Sequence, residues 1–90
     1  MAEVCKFKFA EGISRGLIEE QIAAAILSAE CIFGQAHVRL HAGYAVSDGK
    51  AVIDVSSRVG EYVAQVFTGL MTRKIGEEHF TVEWVKDEEE

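Results

Sequence analysis

Two segments of this chain each place a serine-arginine pair ahead of an apolar periodic stretch and a histidine beyond it. Ser14-Arg15 precedes His37 and Ser57-Arg58 precedes His79, in the frames Gly34-Gln35-Ala36-His37-Val38-Arg39-Leu40 and Gly76-Glu77-Glu78-His79-Phe80-Thr81-Val82, both Gly-x-x-His-apolar-x-apolar. A guanidinium, a hydroxyl and an imidazole gathered at a helix start, where backbone amides are free and the macrodipole is positive, suit phosphate or carboxylate. Serine capping alone also accounts for Ser14 and Ser57. A second cationic set, Lys6, Lys8, Arg39 and His41, lies at alternating positions in segments with strand period.

These residues need elements to hold them. Over 4–10, Cys5, Phe7 and Phe9 share one face and Lys6 and Lys8 the other, the pattern of a half-buried strand. Ser14 caps a helix whose apolar stripe runs through Ile18, Ile22, Ala25, Ile26, Ala29, Ile32 and Phe33 to a stop at Gly34. Alternation resumes with Val38, Leu40, Ala42, Tyr44 and Val46 facing the core and His37, Arg39 and His41 facing away, which predicts a strand to Val46. Ser47-Asp48-Gly49-Lys50 reads as a two-residue hairpin turn that sets Val46 opposite Ala51, Tyr44 opposite Ile53 and Ala42 opposite Val55. Ser57 caps a second helix with Val59, Tyr62, Val63, Val66, Phe67 and Leu70 inward, closed by Gly76. His79 to Val85 forms a last strand that buries Phe80, Val82 and Trp84.

The duplicated β-α-β unit predicts an α+β fold of order β-α-β-β-α-β, a ferredoxin-like plait with an antiparallel sheet of order 4-1-3-2 and two helices on one face. That topology brings His79 towards Ser14-Arg15 and His37 towards Ser57-Arg58. It also gathers Lys6, Lys8, His37, Arg39, His41, Lys50, Val52, Asp54, His79, Thr81 and Glu83 on the open face, a cationic surface on an acidic protein. No metal site is expected there: His37 and His41 on a strand stand roughly 13 Å apart, and His79 about 14 Å away across the sheet. Base stacking needs aromatics on the central open-face positions, which hold Lys6, Lys8, Val52 and Asp54, so the reading argues against nucleic acid.

Composition narrows the class. Ninety residues make one domain, placed at 1–86 and followed by an acidic disordered tail at 87–90. Net charge is −6, which disfavours non-specific binding to a nucleic-acid backbone. The longest strictly apolar run, Ile22 to Leu27, is far shorter than the ~20 residues that span a bilayer, and the first residues carry no export pattern; a cytoplasmic protein with no membrane partner is expected. Cys5 and Cys31 lack metal-ligand spacing and read as small hydrophobes. Gly12-Ile13-Ser14-Arg15-Gly16 lacks the lysine and spacing of a P-loop, and no nucleophile-base pair or cofactor motif is found.

The arginine at the start of the first helix invites comparison with acylphosphatases, small plaits that also use an asparagine; this chain has none. The segment from Gly43-Tyr44 through Val59-Gly60 to Gly69 resembles the strand-turn-strand-helix of bacterial microcompartment shell domains, which implies hexameric tiling. Amino-acid-sensing regulatory domains share the topology as well. The expectation is a non-catalytic cytoplasmic homo-oligomer without cofactor that binds an anionic small molecule or a protein partner through its sheet face or helix starts. A structural self-assembling subunit is the alternative, and an enzyme using Arg15 or Arg58 on a phosphate or carboxyl substrate the third. Self-association is expected because Leu17, Ala23, Ala24, Leu27 and Cys31 widen the apolar arc of the first helix and the domain is small.

Overall fold

A computed structural model describes residues 3–86. Seven main elements follow one another: β1 (Glu3–Phe9), α1 (Arg15–Phe33), α2 (Gln35–His41), β2 (Tyr44–Ser47), β3 (Lys50–Asp54), α3 (Arg58–Ile75) and β4 (Phe80–Lys86), with one 3-10 turn at Glu77–His79. The molecule is α+β, with three helices and a four-stranded sheet in which neighbours stand in the order β2-β3-β1-β4, or β4-β1-β3-β2 counted from the other edge. All pairings are antiparallel. The acidic tail expected at 87–90 lies outside the described residues. Among the described residues no helix is long and apolar enough to cross a membrane.

The helix caps follow from their residues. Ser14 Oγ accepts a hydrogen bond from the Leu17 amide and Ser57 Oγ one from the Gly60 amide, each 3.1 Å, satisfying one of the free donors of a first turn. At the far ends Gly34 and Gly76 take nearly the same left-handed-side backbone, φ 92°, ψ 146° and φ 91°, ψ 143°, which glycine adopts without the strain a Cβ would add. The duplication seen in the sequence is thus a duplication of caps.

One apolar layer joins the sheet to the helices. Cys5, Phe7, Ala51 and Ile53 point from the sheet into Ile18, Ile22, Ala25 and Ala29 of α1 and Val59, Val63, Ala64, Phe67 and Met71 of α3, with Val38 of α2 closing one end. Phe7 and Phe67 meet edge to face at 4.9 Å and 85°, a geometry worth about 0.5–1.5 kcal/mol beyond the area it buries. The hairpin keeps two of its three expected pairs, Tyr44 with Ile53 and Val46 with Ala51; the ladder starts at Tyr44, so Ala42 is not paired with Val55, and Tyr44, expected inward, is 54% exposed.

Three further expectations are corrected. Residues 35–41 form the helix α2 and not the first part of a strand; β2 begins only at Tyr44. Val38 and Ala42, four apart, turn towards the core as a helix requires, whereas Leu40, expected inward, is 80% exposed. The segment Gln-Ala-His-Val-Arg-Leu-His is mostly made of good helix formers, with only one β-branched residue to resist. Secondly, Ile32 lies on the outer side of α1. Thirdly, β4 buries Phe80 but leaves Val82 and Trp84 largely exposed, because α3 offers only Ala64, Gln65 and Thr68 towards them and leaves an apolar cleft of about 270 Å³.

Close seating of α3 on the end of β3 depends on Gly60, where a Cβ would run into the Asp54 carbonyl oxygen and come within 3.1 Å of the Val55 Cα. Gly69, in the same helix, has open space around it. Gly60→Ala therefore lowers stability by about 1–3 kcal/mol, the usual cost of overpacking, while Gly69→Ala raises it by about 0.5–1 kcal/mol through helix propensity. Urea unfolding of the two variants checks the pair; equal effects of the same sign would show that the helix does not sit this close.

Candidate functional site

The open face of the sheet carries a lysine cluster. Period-two alternation puts Lys6 and Lys8 outward once Cys5 and Phe7 are inward. On the neighbouring strand Lys50 stands directly opposite Lys8, and Val52 opposite Lys6. A like-charge pair facing across two strands is unfavourable, so the fold itself gains nothing from it. Around it lies a depression of about 240 Å³ lined by Lys6, Phe7, Lys8, Lys50, Ala51 and Val52. None of the three lysines makes an ion pair among the described residues, where the salt bridges are Arg15–Glu19, His79–Glu78 and Lys86–Glu3. Glu83 stands opposite Lys6 on β4, and Asp54 lies further along β3 with Oδ1 accepting from the Ser56 amide.

The helix-start corners are occupied by their own chemistry. Arg15 donates from Nε to Glu19 Oε2 at 3.1 Å and Ser14 is engaged as cap. His79 closes the 3-10 turn; its carbonyl accepts from the Ala10 amide at 2.8 Å, and its Nε2 lies 3.6 Å from Glu78 Oε2. At the other corner Ser57 caps α3 and donates from Oγ to the His41 carbonyl at 3.4 Å, so the histidine at hydrogen-bonding distance from that cap is His41. Arg58 is exposed at the first position of α3.

His37, Arg39 and His41 are not on the sheet at all. They project from α2, all exposed, and their expected place beside Lys6 and Lys8 is corrected by the helix at 35–41. His37 stacks on Phe33 at 6.1 Å and 21°, and its ring centre lies 4.6 Å from that of His41. The separation of roughly 13 Å argued from strand geometry is overturned with it. Two signals could have found α2: the helix-forming composition of 35–41, and the positive-φ glycine that can restart a helix as well as precede a strand.

Comparison with protein-family models, with curated proteins and with solved structures returned no match. The functional reading therefore rests on the geometry of the chain.

The two cysteines are unpaired and differ in setting: Cys5 is buried on β1 and Cys31 exposed on α1. Burial raises the pKa of the Cys5 thiol, so it stays neutral and unreactive while folded. A disulfide reagent counts one thiol in the native protein, Cys31, and two in denaturant. The sign of the accompanying pH effect is fixed: above the ordinary thiol pKa of ~8.5 the unfolded chain loses a proton that the folded chain keeps, so stability falls as pH rises until the folded thiol also ionises. Cys5→Ala removes that part of the alkaline slope. Two thiols reacting at equal rates in the native protein would contradict the burial.

Proposed function

We propose that the chain is a ferredoxin-like plait serving as a non-catalytic, cytoplasmic, self-associating domain that binds a small anion of the phosphate or carboxylate class on the open face of its sheet. The observation that carries the reading is the Lys8–Lys50 cross-strand pair with Lys6 beside it, uncompensated by ion pairs on a chain of net charge −6. Such a cluster lowers the cost of bringing in an anion and raises its arrival rate on an otherwise acidic surface. The plait is supported by the neighbours of β1, which are β3 and β4, and by the two long helices packed on one face of the sheet. Unpaired cysteines fit a reducing compartment.

Titration with pyrophosphate or a nucleoside triphosphate, followed by thermal shift, tests this face. Exposed charge contacts are each worth up to about 1 kcal/mol, and 1.4 kcal/mol is tenfold in affinity. Lys8→Gln and Lys50→Gln should each weaken binding about two- to five-fold by that reckoning. Without ligand both variants are as stable as the parent or more so, since a like-charge pair is relieved. Saturable binding that survives both substitutions, or no binding at low salt, refutes the reading.

Self-association is supported by the outer side of α1. Ala23, Ala24, Leu27, Cys31 and Ile32 are all exposed there, with Ala24, Leu27 and Cys31 at the three-four spacing of a helix-helix seam. Sedimentation equilibrium at micromolar concentration should return at least twice the 9.9 kDa chain mass. Leu27→Glu restores the monomer if α1 forms the seam; if Trp84→Glu does so instead, the copies meet along β4. A parent protein that sediments as a single chain refutes self-association.

A further inference from the structure

We propose that His37 and His41 on α2 form a two-imidazole binding site for a divalent transition metal of the copper, nickel and zinc class. Residues four apart on a helix share one face, and the two rings here have centres 4.6 Å apart with planes inclined at 45°. A metal held at ~2.0–2.1 Å by one nitrogen of each ring lies about 3.2 Å from each ring centre, so two imidazoles at right angles to slightly more around one ion have centres ~4.5–5.2 Å apart. The observed spacing of the ring centres falls within that range.

The platform is fixed rather than adaptable. Val38, 1% exposed, pins α2 to the core between the two histidines. The Ala42 amide closes the last turn on the Val38 carbonyl at 2.8 Å, and Ser57 Oγ holds the His41 carbonyl. Phe33 backs the His37 ring. Both imidazoles are exposed, and neither makes a side-chain hydrogen bond or ion pair among the described residues, so a metal displaces only solvent. Borderline ions are the ones imidazole selects, with copper(II) strongest, whereas magnesium prefers oxygen ligands.

The site is a binding site and not a hydrolytic one. In the helical motif that pairs two histidines with a zinc-bound water, the residue after the first histidine is a glutamate acting as base; here it is the buried Val38. Among the described residues no group of three histidine, cysteine or acidic side chains gathers round one point. The remaining coordination positions are therefore left to water or to a donor outside the described residues.

Protein free of any affinity tag, titrated with copper(II), nickel(II), zinc and magnesium chlorides by calorimetry and thermal shift, tests the site. Saturable binding of copper, weaker binding of nickel and zinc and none of magnesium is the expected order. His37→Ala and His41→Ala each lower copper affinity at least tenfold and abolish the metal-dependent rise in Tm, with helix content unchanged by circular dichroism. His79→Ala leaves both readouts as in the parent. Absence of saturable copper binding up to about 1 mM, where a site with a dissociation constant tenfold lower would be almost filled, overturns the proposal. So does a His37→Ala variant of parental affinity.

Discussion

Phe7 is the residue on which the two sides of this molecule depend. It stands on β1, between β3 and β4, and its ring meets Phe67 of α3 edge on at the centre of the core. With Phe7 inward, the period of two leaves Lys6 and Lys8 no choice but the opposite face, and pairing with β3 then brings Lys50 against Lys8. A slip of one residue would exchange the two faces, burying lysines and exposing phenylalanine. The aromatic contact therefore sets the register that assembles the cationic surface from the opposite side of the sheet.

Both sides of the molecule mix charges. Glu19, Glu20 and Glu61 share the helices with Arg15, Arg39, Arg58, Arg73 and Lys74, while Lys6, Lys8 and Lys50 share the open side of the sheet with Asp54 and Glu83. The net charge of −6 owes more to Glu11, Asp48, Glu77, Glu78 and the acidic last four residues than to either layer. What the three lysines add is local, and their field weakens with ionic strength because the charges are exposed.

The two halves of the chain show how far local pattern reaches. Ser14 and Ser57, Gly34 and Gly76, and the pairing of Val46 with Ala51 were legible because each follows from one residue's own backbone or hydrogen-bonding chemistry. After the glycine stops, the halves share the beginning of a helical turn and part at the histidine. Val38-Arg39-Leu40-His41 continues as helix, whereas Phe80-Thr81-Val82-Glu83-Trp84-Val85, rich in β-branched and aromatic residues, extends into β4. The alternation of Val38, Leu40 and Ala42 satisfies a strand and that of Val38 and Ala42 a helix, and it is Leu40, 80% exposed, that tells the two apart. The exposure of Trp84 was hidden for another reason: it depends on the small side chains that α3 turns towards β4, a fact of the neighbouring element and not of the strand.

Trp84 is the chain's single tryptophan, and it sits on an edge strand instead of in the core. Its indole N–H donates to Glu3 Oε1 at 3.2 Å, and the other oxygen of that carboxylate lies 3.7 Å from Lys86 Nζ. The indole is thereby clasped across the β1–β4 seam by its own outermost residues. Its fluorescence is an optical gauge of that seam: fraying of the last strand changes the emission while Phe7 and Phe67 are still packed, and loss of the helical layer registers in circular dichroism instead.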